Sequence, residues 1–383
     1  MAELTRSTKV LNVMRRFPMI YASARRIRRF LECWIIDFGR HVCTCIAFGA
    51  PKGTFSGLRL VQIGQSEGKL IRISQELPSL PPRSLIREAD MKQNGEQPWP
   101  VFWARLPYCR LVGPSLVPMN ANKEIMIDAA YGKDFFQTDP SYNYLTLPPP
   151  AELKGSWTSV IGRWEEGYYH WFTDALPRLA SLKDLPPDTQ ILIRGQLKGF
   201  TKHSLEMLGL VDRVRETKKT HLVLEDFYFL SPVGMTGCTN PASVKWLRES
   251  FLPHAAPGGF PAKVFIQREG KTRGLSNKRE VEGLFRKNGW WVIDLEKVTF
   301  AEQIAIFSRA THIVGEHGAG FTNLLWCNPD CQVTELCADN YLNGCYEGIS
   351  LCIGLKHDFM AFHADDTNCF FVSLNAFDKI LNS

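Results

Sequence analysis

The sequence predicts an α/β protein whose C-terminal part contains a parallel sheet. Short apolar runs suited to buried strands alternate there with amphipathic helical patterns. The chain has 383 residues, of which 45% are apolar and 22% charged, so it can bury a large core, and its length favours two domains. A stretch rich in proline and glycine at 253–261 separates the two halves. We therefore expect α/β domains at 55–252 and 263–383, joined by a linker at 253–262.

Residues 1–54 are expected to form a basic N-terminal extension. Residues 1–40 contain nine Lys/Arg and three Asp/Glu, which accounts for the whole net charge of +6 and leaves the rest of the chain close to neutral. This distribution argues against a nucleic-acid-binding groove. In segment 22–36, apolar residues recur at helical spacing behind an arginine cluster, which predicts a basic amphipathic helix. Such a helix either makes peripheral contact with an anionic membrane or packs on the domain.

The eleven cysteines favour reduced thiols. Their number is odd, and they show neither a repeated pair spacing nor a second pair at zinc-ligand spacing after Cys327 and Cys331. We find no secretory segment and no run of 18 apolar residues. These features predict a cytoplasmic protein without a structural zinc site, located at the inner face of the cytoplasmic membrane if the N-terminal helix binds lipid.

The N-terminal domain is expected to change character along its length. From 55 to 150, short mixed runs punctuated by proline predict strands and irregular connections. After that, strand and helix patterns alternate. Strands are predicted at Ser156–Ile161, Gln190–Ile193 and His221–Leu230, and helices at His203–Leu208 and Val244–Phe251.

The stretch Gly167–Leu179 is the first that carries chemistry. It contains His170 and Asp174, which a helix would place on one face, one turn apart. A histidine and a carboxylate held together can act as a general-base pair, in which one group takes a proton and the other orients it. The pair could equally be a core histidine beside a helix carboxylate. Pro177 is expected to disturb this helix.

The C-terminal domain reads as a series of strands and helices that predicts a parallel, Rossmann-like sheet with helices on both faces. Asn277 with Glu280, and Thr299 with Glu302, predict capped helix starts. Strands are predicted at Lys263–Ile266, Trp290–Ile293, His312–Val314 and Val333–Leu336, with helices ending near Lys287 and Ala310. Ligands of such sheets bind outside the carboxyl ends of the strands, where Arg268 and His317 are expected to lie.

The glycine-rich stretch Gly315–Trp326 follows one of these strands and precedes an apolar pattern at helical spacing. A strand, a glycine turn with a histidine and a helix start can direct backbone N–H groups at an anion, so the stretch is a candidate phosphate-binding turn. Alternatively, its glycines only relieve backbone strain.

Three blocks occur in order along the chain: His170-Trp171-Phe172-Thr173-Asp174, then Arg268 with Arg273 and Asn277-x-x-Glu280, then Val314–Leu324. With these blocks, roughly residues 156–336 resemble the glycosyltransferase family 61 enzymes. That family includes bacterial capsule-related transferases and eukaryotic lumenal protein O-glycosyltransferases. The resemblance implies a GT-B architecture, in which two Rossmann-like domains face each other across a cleft. It also implies an inverting reaction, with the nucleotide sugar bound mainly by the C-terminal domain and the acceptor by the N-terminal one.

The resemblance implies catalytic and donor-binding roles for particular residues of this chain. Asp174 is expected to remove the proton of the acceptor hydroxyl, with His170 beside it as the second catalytic residue. No Asp-x-Asp sequence is present, so we expect neither a metal ion nor a cofactor, and the diphosphate charge of the donor, a UDP-sugar, must be met by protein groups. Glu335 is expected at the end of the last strand, where it either holds the ribose or is a buried or edge carboxylate with a structural partner. The full set of expected donor-binding residues is Arg268, Arg273, Asn277, His317, Gly318, Ala319, Gly320, Asn323 and Glu335.

The expected function is thus metal-independent transfer of a sugar to a glycan or lipid-linked glycan in bacterial surface polysaccharide synthesis, with no nucleic-acid partner. Two alternatives remain open. An acyltransferase could use His170 as its base, although it would leave the 263–336 half without a purpose. A non-catalytic protein could bind a nucleotide sugar without transferring it.

Overall fold

The computed structural model describes residues 53–62, 64–72, 100–129, 147–197, 199–234, 236–268 and 273–382. The predicted basic helix at 22–36 lies outside these ranges and stays a prediction. Within the described ranges, every helix is too short or too polar to cross a bilayer.

The N-terminal part forms one mixed sheet of nine strands. Its order is β1-β5-β4-β3-β9-β6-β7-β8, with β2 paired to β3. Strands β9, β6, β7 and β8 run parallel, whereas β3 is antiparallel to both β9 and β4. The strands are β1 Gly53–Phe55, β2 Gly68–Arg72, β3 Val101–Val112, β4 Val117–Met119, β5 Glu124–Met126, β6 Ala151–Ser159, β7 Gln190–Arg194, β8 Val214–Thr217 and β9 His221–Leu230.

The prediction of a Rossmann-like N-terminal domain is therefore right only for the four parallel strands. The turn at 113–116 between β3 and β4 is too short for the crossover that parallel neighbours need, so it enforces an antiparallel pair. The early part of the domain accordingly extends the sheet through antiparallel pairs, except that β1 and β5 are parallel neighbours.

The C-terminal part forms a wholly parallel sheet of five strands in the order β11-β10-β12-β13-β14. Four of its strands were predicted, and they are β10 Lys263–Gln267, β11 Trp291–Asp294, β12 His312–Glu316 and β13 Gln332–Ala338. The fifth, β14 Lys356–Phe362, was not predicted. It lies at the edge of the sheet and none of its residues is fully buried, so its sequence lacks the apolar run of an interior strand.

The helices connect these strands. Segments of 3₁₀ helix occupy Ile127–Ala129, Leu176–Asp184, Val211–Arg213, Leu252–His254, Leu295–Lys297, Ala319–Trp326 and Leu374–Phe377, and a π turn occupies Trp171–Ala175. The α-helices are α1 Gly57–Gln62, α2 Tyr168–His170, α3 Gly199–Met207, α4 Pro241–Phe251, α5 Lys278–Lys287, α6 Phe300–Arg309, α7 Cys345–Ile353 and α8 Asp378–Leu381.

The two predicted helix caps differ in outcome. Thr299 and Glu302 form the capping box at the start of α6, as predicted. Asn277 does precede α5, but its side chain makes no cap hydrogen bond. The amide instead binds the backbone of Val372 in both directions, with Nδ2 donating at 2.9 Å and Oδ1 accepting at 3.2 Å. A tertiary contact has replaced the local cap.

The two sheets share a buried apolar interior. Phe172 is fully buried, and its ring lies 5.2 Å from that of Phe300 and 5.9 Å from that of Trp326. The hydroxyl of Tyr168 donates to Asn323 Oδ1 at 2.8 Å. The segment that carries His170 and Asp174 is therefore packed directly against the C-terminal sheet. The GT-B arrangement and the proposed boundaries at 253–262 stay predictions.

Candidate active site

His170 and Asp174 lie on the segment between β6 and β7, where α2 passes into the π turn. Imidazole Nδ1 of His170 lies 2.8 Å from Oδ2 of Asp174. The irregular helix that Pro177 predicts is confirmed, because the π turn gives way to 3₁₀ helix at Leu176. Arg178 anchors this segment, since its guanidinium donates two hydrogen bonds to the carbonyl of Leu230 at the end of β9.

Both oxygens of Asp174 are occupied by protein groups. Oδ2 accepts hydrogen bonds from Thr236 Oγ1 at 2.6 Å and pairs with His170, and Oδ1 accepts from Thr173 Oγ1 at 2.9 Å. The side chain of Asp174 is 11% exposed, whereas that of His170 is 31% exposed. Among the described residues, Nε2 of His170 has no hydrogen-bond partner. The free proton acceptor of the pair is thus the imidazole and not the carboxylate.

A second group of side chains gathers at the carboxyl ends of β10 and β12, where the sequence placed it. Arg268 directly follows β10, and its Nη1 donates to the backbone carbonyl of His317, which directly follows β12. Burial lowers the pKa of Arg268, and the nearby charge of Arg273 lowers it further. The guanidinium keeps further N–H donors that an anion can accept.

The glycines of the loop are closely packed against neighbouring side chains. A Cβ at Gly318 would lie 3.0 Å from Nη1 of Arg268, and one at Gly320 would lie 3.0 Å from side-chain atoms of Ile266 and Leu295. Among the described residues, the N–H groups of Gly318, Ala319 and Gly320 have no acceptor, and Ala319 is exposed. The helix that follows is 3₁₀ and not the expected α-helix. Even so, three donors and one guanidinium can face the same anion.

Arg273 and Tyr341 form the outer side of this group. The guanidinium carbon of Arg273 lies 4.9 Å from the ring centroid of Tyr341, whose ring in turn lies 5.5 Å from that of His317. Tyr341 is 36% exposed, so its ring can contact a ligand. Arg273 is therefore brought to the site as predicted, and Tyr341 is a site residue that the sequence analysis missed.

Glu335 lies inside the sheet and not at a strand end. It is the fourth residue of β13, it has no exposed surface, and β14 follows it, so its predicted position at the end of the last strand is wrong. Its two oxygens are bonded to Nδ1 of His317 and, at 3.1 Å, to Nε2 of His357. Burial alone would raise the pKa of Glu335, but these two hydrogen bonds lower it. The carboxylate is ionised and positions imidazoles, so it does not face a ribose.

Three of the described side chains, those of His317, Glu335 and Cys337, place potential metal-binding atoms within 4.8 Å of one another. The set does not fit a cation, because both Glu335 oxygens are already bonded to imidazoles. Burial also raises the pKa of Cys337, which disfavours the thiolate that a metal needs.

Two further expected donor-binding residues do not face the site. Asn277 is held by Val372, as described above. Asn323 is 1% exposed, and both atoms of its amide are hydrogen-bonded within the protein. Oδ1 accepts from Tyr168 and Trp326, and Nδ2 donates to Gln303 and to the carbonyl of Gly320. Asn323 thereby ties the glycine loop to the segment that carries His170.

The two halves of the site are joined through Tyr346 of α7. Its ring lies 5.1 Å from that of His317 and 5.5 Å from that of Tyr169, the neighbour of His170. Thr236 and Tyr346 were both missed by the sequence analysis. The glycines that flank Thr236, at 234 and 237, indicate a tight turn, but nothing in the sequence pairs that turn with Asp174 across 62 positions.

Comparison with known proteins gives a family match for part of the chain. The family described as Glycosyltransferase 61 matches residues 168–334, slightly less than half of the chain. The matched segment contains His170, Asp174, Arg268 and His317, and the resemblance noted from the sequence is confirmed. The chain has no significant match to a curated protein.

Proposed function

Because residues 168–334 belong to the glycosyltransferase 61 family, we propose that the chain transfers a sugar from a nucleotide-sugar donor to a hydroxyl acceptor, with inversion at the anomeric carbon. The observation that carries this proposal is the pairing of His170 with Asp174 at 2.8 Å, across Tyr169 and Tyr346 from a cationic group at the carboxyl ends of β10 and β12. One half can accept a proton and the other can hold a diphosphate, which are the two tasks of such a transfer.

The geometry supports His170 as the general base, which reverses the roles we expected from the sequence. Asp174 accepts hydrogen bonds at both oxygens, so a substrate hydroxyl would have to displace one of them. His170 offers Nε2, and its Nδ1 is fixed by the carboxylate, in the same way that a carboxylate orients the histidine of other acid–base pairs. Asp174 is then a positioning residue.

The reaction proceeds as a single displacement. The acceptor oxygen attacks the anomeric carbon while its proton moves to Nε2 of His170. The bond between the anomeric carbon and the diphosphate oxygen breaks, and its electron pair stays on that oxygen. Arg268, His317 and the N–H groups of the glycine loop stabilise the developing negative charge. No step in this scheme requires a metal ion.

For the substrates, we propose a UDP-sugar donor and a glycan or lipid-linked glycan acceptor at the cytoplasmic face of a bacterial membrane. The support for these choices is the resemblance to family 61, which includes bacterial capsule-related transferases. An acyltransferase has less support, because it would not account for the match of residues 168–334 to the glycosyltransferase 61 family.

A ligand screen followed by a transfer assay tests the proposal. Thermal-shift measurements should show stabilisation by nucleoside diphosphates and not by coenzyme A. The nucleotide sugar that binds most tightly should then release its nucleotide, slowly with water and faster with an acceptor. Arg268→Ala should abolish the thermal shift, whereas Arg279→Ala, at an exposed position on α5, should leave it unchanged. Stabilisation by coenzyme A alone would favour the acyltransferase, and binding without any turnover would favour a nucleotide-sugar-binding protein.

A further inference from the structure

The hydrogen bond between His317 and Glu335 determines which nitrogen of His317 carries a proton. Glu335 is ionised because its two hydrogen bonds outweigh the effect of burial, and an ionised carboxylate can only accept hydrogen bonds. In the neutral form of His317, Nδ1 is therefore the nitrogen that carries the proton. Nε2 then carries a lone pair and has no partner among the described residues.

A lone pair at Nε2 repels a phosphate oxygen. The imidazole can donate a hydrogen bond to an anion only if Nε2 also gains a proton, which makes the ring an imidazolium. We infer that the diphosphate of the donor binds together with one proton, held on Nε2 of His317 and balanced by the carboxylate of Glu335. This inference rests on the proposed function, because it needs a diphosphate at the carboxyl ends of β10 and β12.

The surroundings of His317 leave Glu335 as the group that balances the added charge. The side-chain exposures of His317 and Glu335 are 7% and 0%, so solvent screens the pair poorly. Burial raises the pKa values of Cys337, Cys345 and Tyr346, which keeps these neighbours neutral. Tyr341 contacts the ring edge-on, and the cation Arg268 donates a hydrogen bond to the backbone carbonyl of His317.

His357 makes Glu335 a firmly held partner. Its Nε2 binds the second carboxylate oxygen, and its Nδ1 lies 2.8 Å from Ser350 Oγ. The side chain of His357 is 3% exposed, and its ring stacks on Phe359 with centroids 4.6 Å apart. Glu335 is thus fixed between two imidazoles and cannot turn toward the ligand. It acts as a positioning residue that sets the charge of His317.

Calorimetry with a nucleotide sugar tests the inference, because the diphosphate of a nucleotide sugar is a diester whose own charge is constant near neutral pH. UDP-glucose, UDP-N-acetylglucosamine and GDP-mannose would be titrated into the full chain in two buffers of different ionisation enthalpy. Proton uptake makes the apparent binding enthalpy depend on the buffer. The dissociation constant should also rise with pH, by up to about tenfold per unit where uptake is complete.

Glu335→Gln is the matched variant. A glutamine amide can accept from Nδ1 of His317 and donate to Nε2 of His357, so both hydrogen bonds persist while the balancing charge is removed. We expect weaker binding, no dependence on buffer and a flat pH profile. His363→Gln is the control, because His363 is 95% exposed and pairs with Asp339 away from Glu335. It should retain the proton uptake of the unmodified protein.

The outcomes separate the two proposals. Binding without proton uptake in the unmodified protein would overturn the inference and leave the proposed function standing, and this measurement needs no variant to fold. Proton uptake that persists in Glu335→Gln would also overturn it. Failure of every nucleotide sugar to bind at any pH would overturn the proposed function and the inference together.

Discussion

The site contains two histidine–carboxylate pairs with opposite surroundings. His170 and Asp174 come from one helical segment, are 31% and 11% exposed, and are supported by threonine hydroxyls. His317 and Glu335 come from two adjacent strands, are 7% and 0% exposed, and are supported by a second imidazole. A base must exchange its proton with substrate, so it needs access. A group that holds charge for a diphosphate needs low screening, so it benefits from burial.

The largest effect should come from removing the accessible imidazole. His170→Gln should lower kcat by about 10²–10⁴-fold, the usual contribution of a general base. Donor affinity should change little, since the diphosphate binds to the other half of the site. Initial transfer rates at saturating donor, together with donor titrations, measure the two quantities separately.

Asp174→Asn is the companion variant for that measurement. An asparagine amide can present N–H to Nδ1 and so favour the wrong tautomer of His170, which should cause a large loss of kcat. If Asp174→Asn were inactive while His170→Gln transferred sugar at near the normal rate, Asp174 would be the base, as the sequence alone suggested.

Of the two pairs, His317–Glu335 should contribute more to the free energy of unfolding. Glu335→Ala leaves the imidazole N–H groups of His317 and His357 without their shared acceptor inside the protein, and a buried donor without an acceptor costs about 1–3 kcal/mol. Asp174→Ala also removes a hydrogen-bonded carboxylate, but the side chain of His170 beside it is 31% exposed, so water can replace part of the lost hydrogen bonding and the cost should be smaller. Urea denaturation of the two variants measures the contrast. Equal losses would show that the difference in burial has no energetic consequence.

Acid should weaken the folded state through the same carboxylate. The pKa of Glu335 is lowered in the folded chain, so the unfolded chain binds more protons as the pH falls. The stabilisation is complete above the unfolded pKa of about 4.3 and is lost as the pH falls through the lower folded value. Denaturation midpoints should therefore drop more steeply below that pH in the unmodified protein than in Glu335→Gln.

Much of the fold followed from the sequence wherever apolar periodicity and local signals agreed. Four of the five strands of the parallel sheet and the capping box at Thr299 were predicted, because apolar runs in the strands and a cap bond within one turn leave clear patterns. The edge strand β14 and the cap at Asn277 were not predicted correctly. Both depend on neighbours far along the chain, such as Val372, which binds the Asn277 amide.

The same distinction between local signals and distant contacts applies to the candidate site. His170, Asp174, Arg268 and His317 were found because they lie within short blocks with a helical or strand-end position. Their roles could not be assigned from the sequence alone. The assignment of base and positioning residue depends on Thr236, which is 62 positions from Asp174, and on which oxygens are already occupied. Sequence periodicity carries no information about such occupancy.

A smaller effect is expected from a substitution in the glycine loop, which adjoins the buried pair His317–Glu335. Gly318→Ala would place a Cβ 3.0 Å from Nη1 of Arg268 and displace the guanidinium from the carbonyl of His317. Donor affinity should fall roughly tenfold or more, since a hydrogen bond from a charged group contributes about 1.5–3 kcal/mol. Gly283→Ala, at an open position on α5, is the matched control and should not change affinity. Unchanged affinity in Gly318→Ala would mean that Arg268 does not need this position.

The smallest effect should come from the hydroxyl that supports the accessible pair. Thr236→Val keeps the shape of the side chain but removes its 2.6 Å hydrogen bond to Asp174 and its 3.1 Å contact with Nδ1 of His170. Loss of one such bond corresponds to about 0.5–1.5 kcal/mol, so kcat should fall by a few-fold to about tenfold with donor affinity unchanged.

Thr311→Val is the control for that variant, because Thr311 also contacts a histidine, His312, at 3.0 Å but on the far side of β12 from the glycine loop. Its kcat should equal that of the unmodified protein. A loss in Thr236→Val as large as that in His170→Gln would show that Asp174 alone does not hold the imidazole of His170 in position. The His170–Asp174 pair would then need the hydroxyl of Thr236 to keep its geometry.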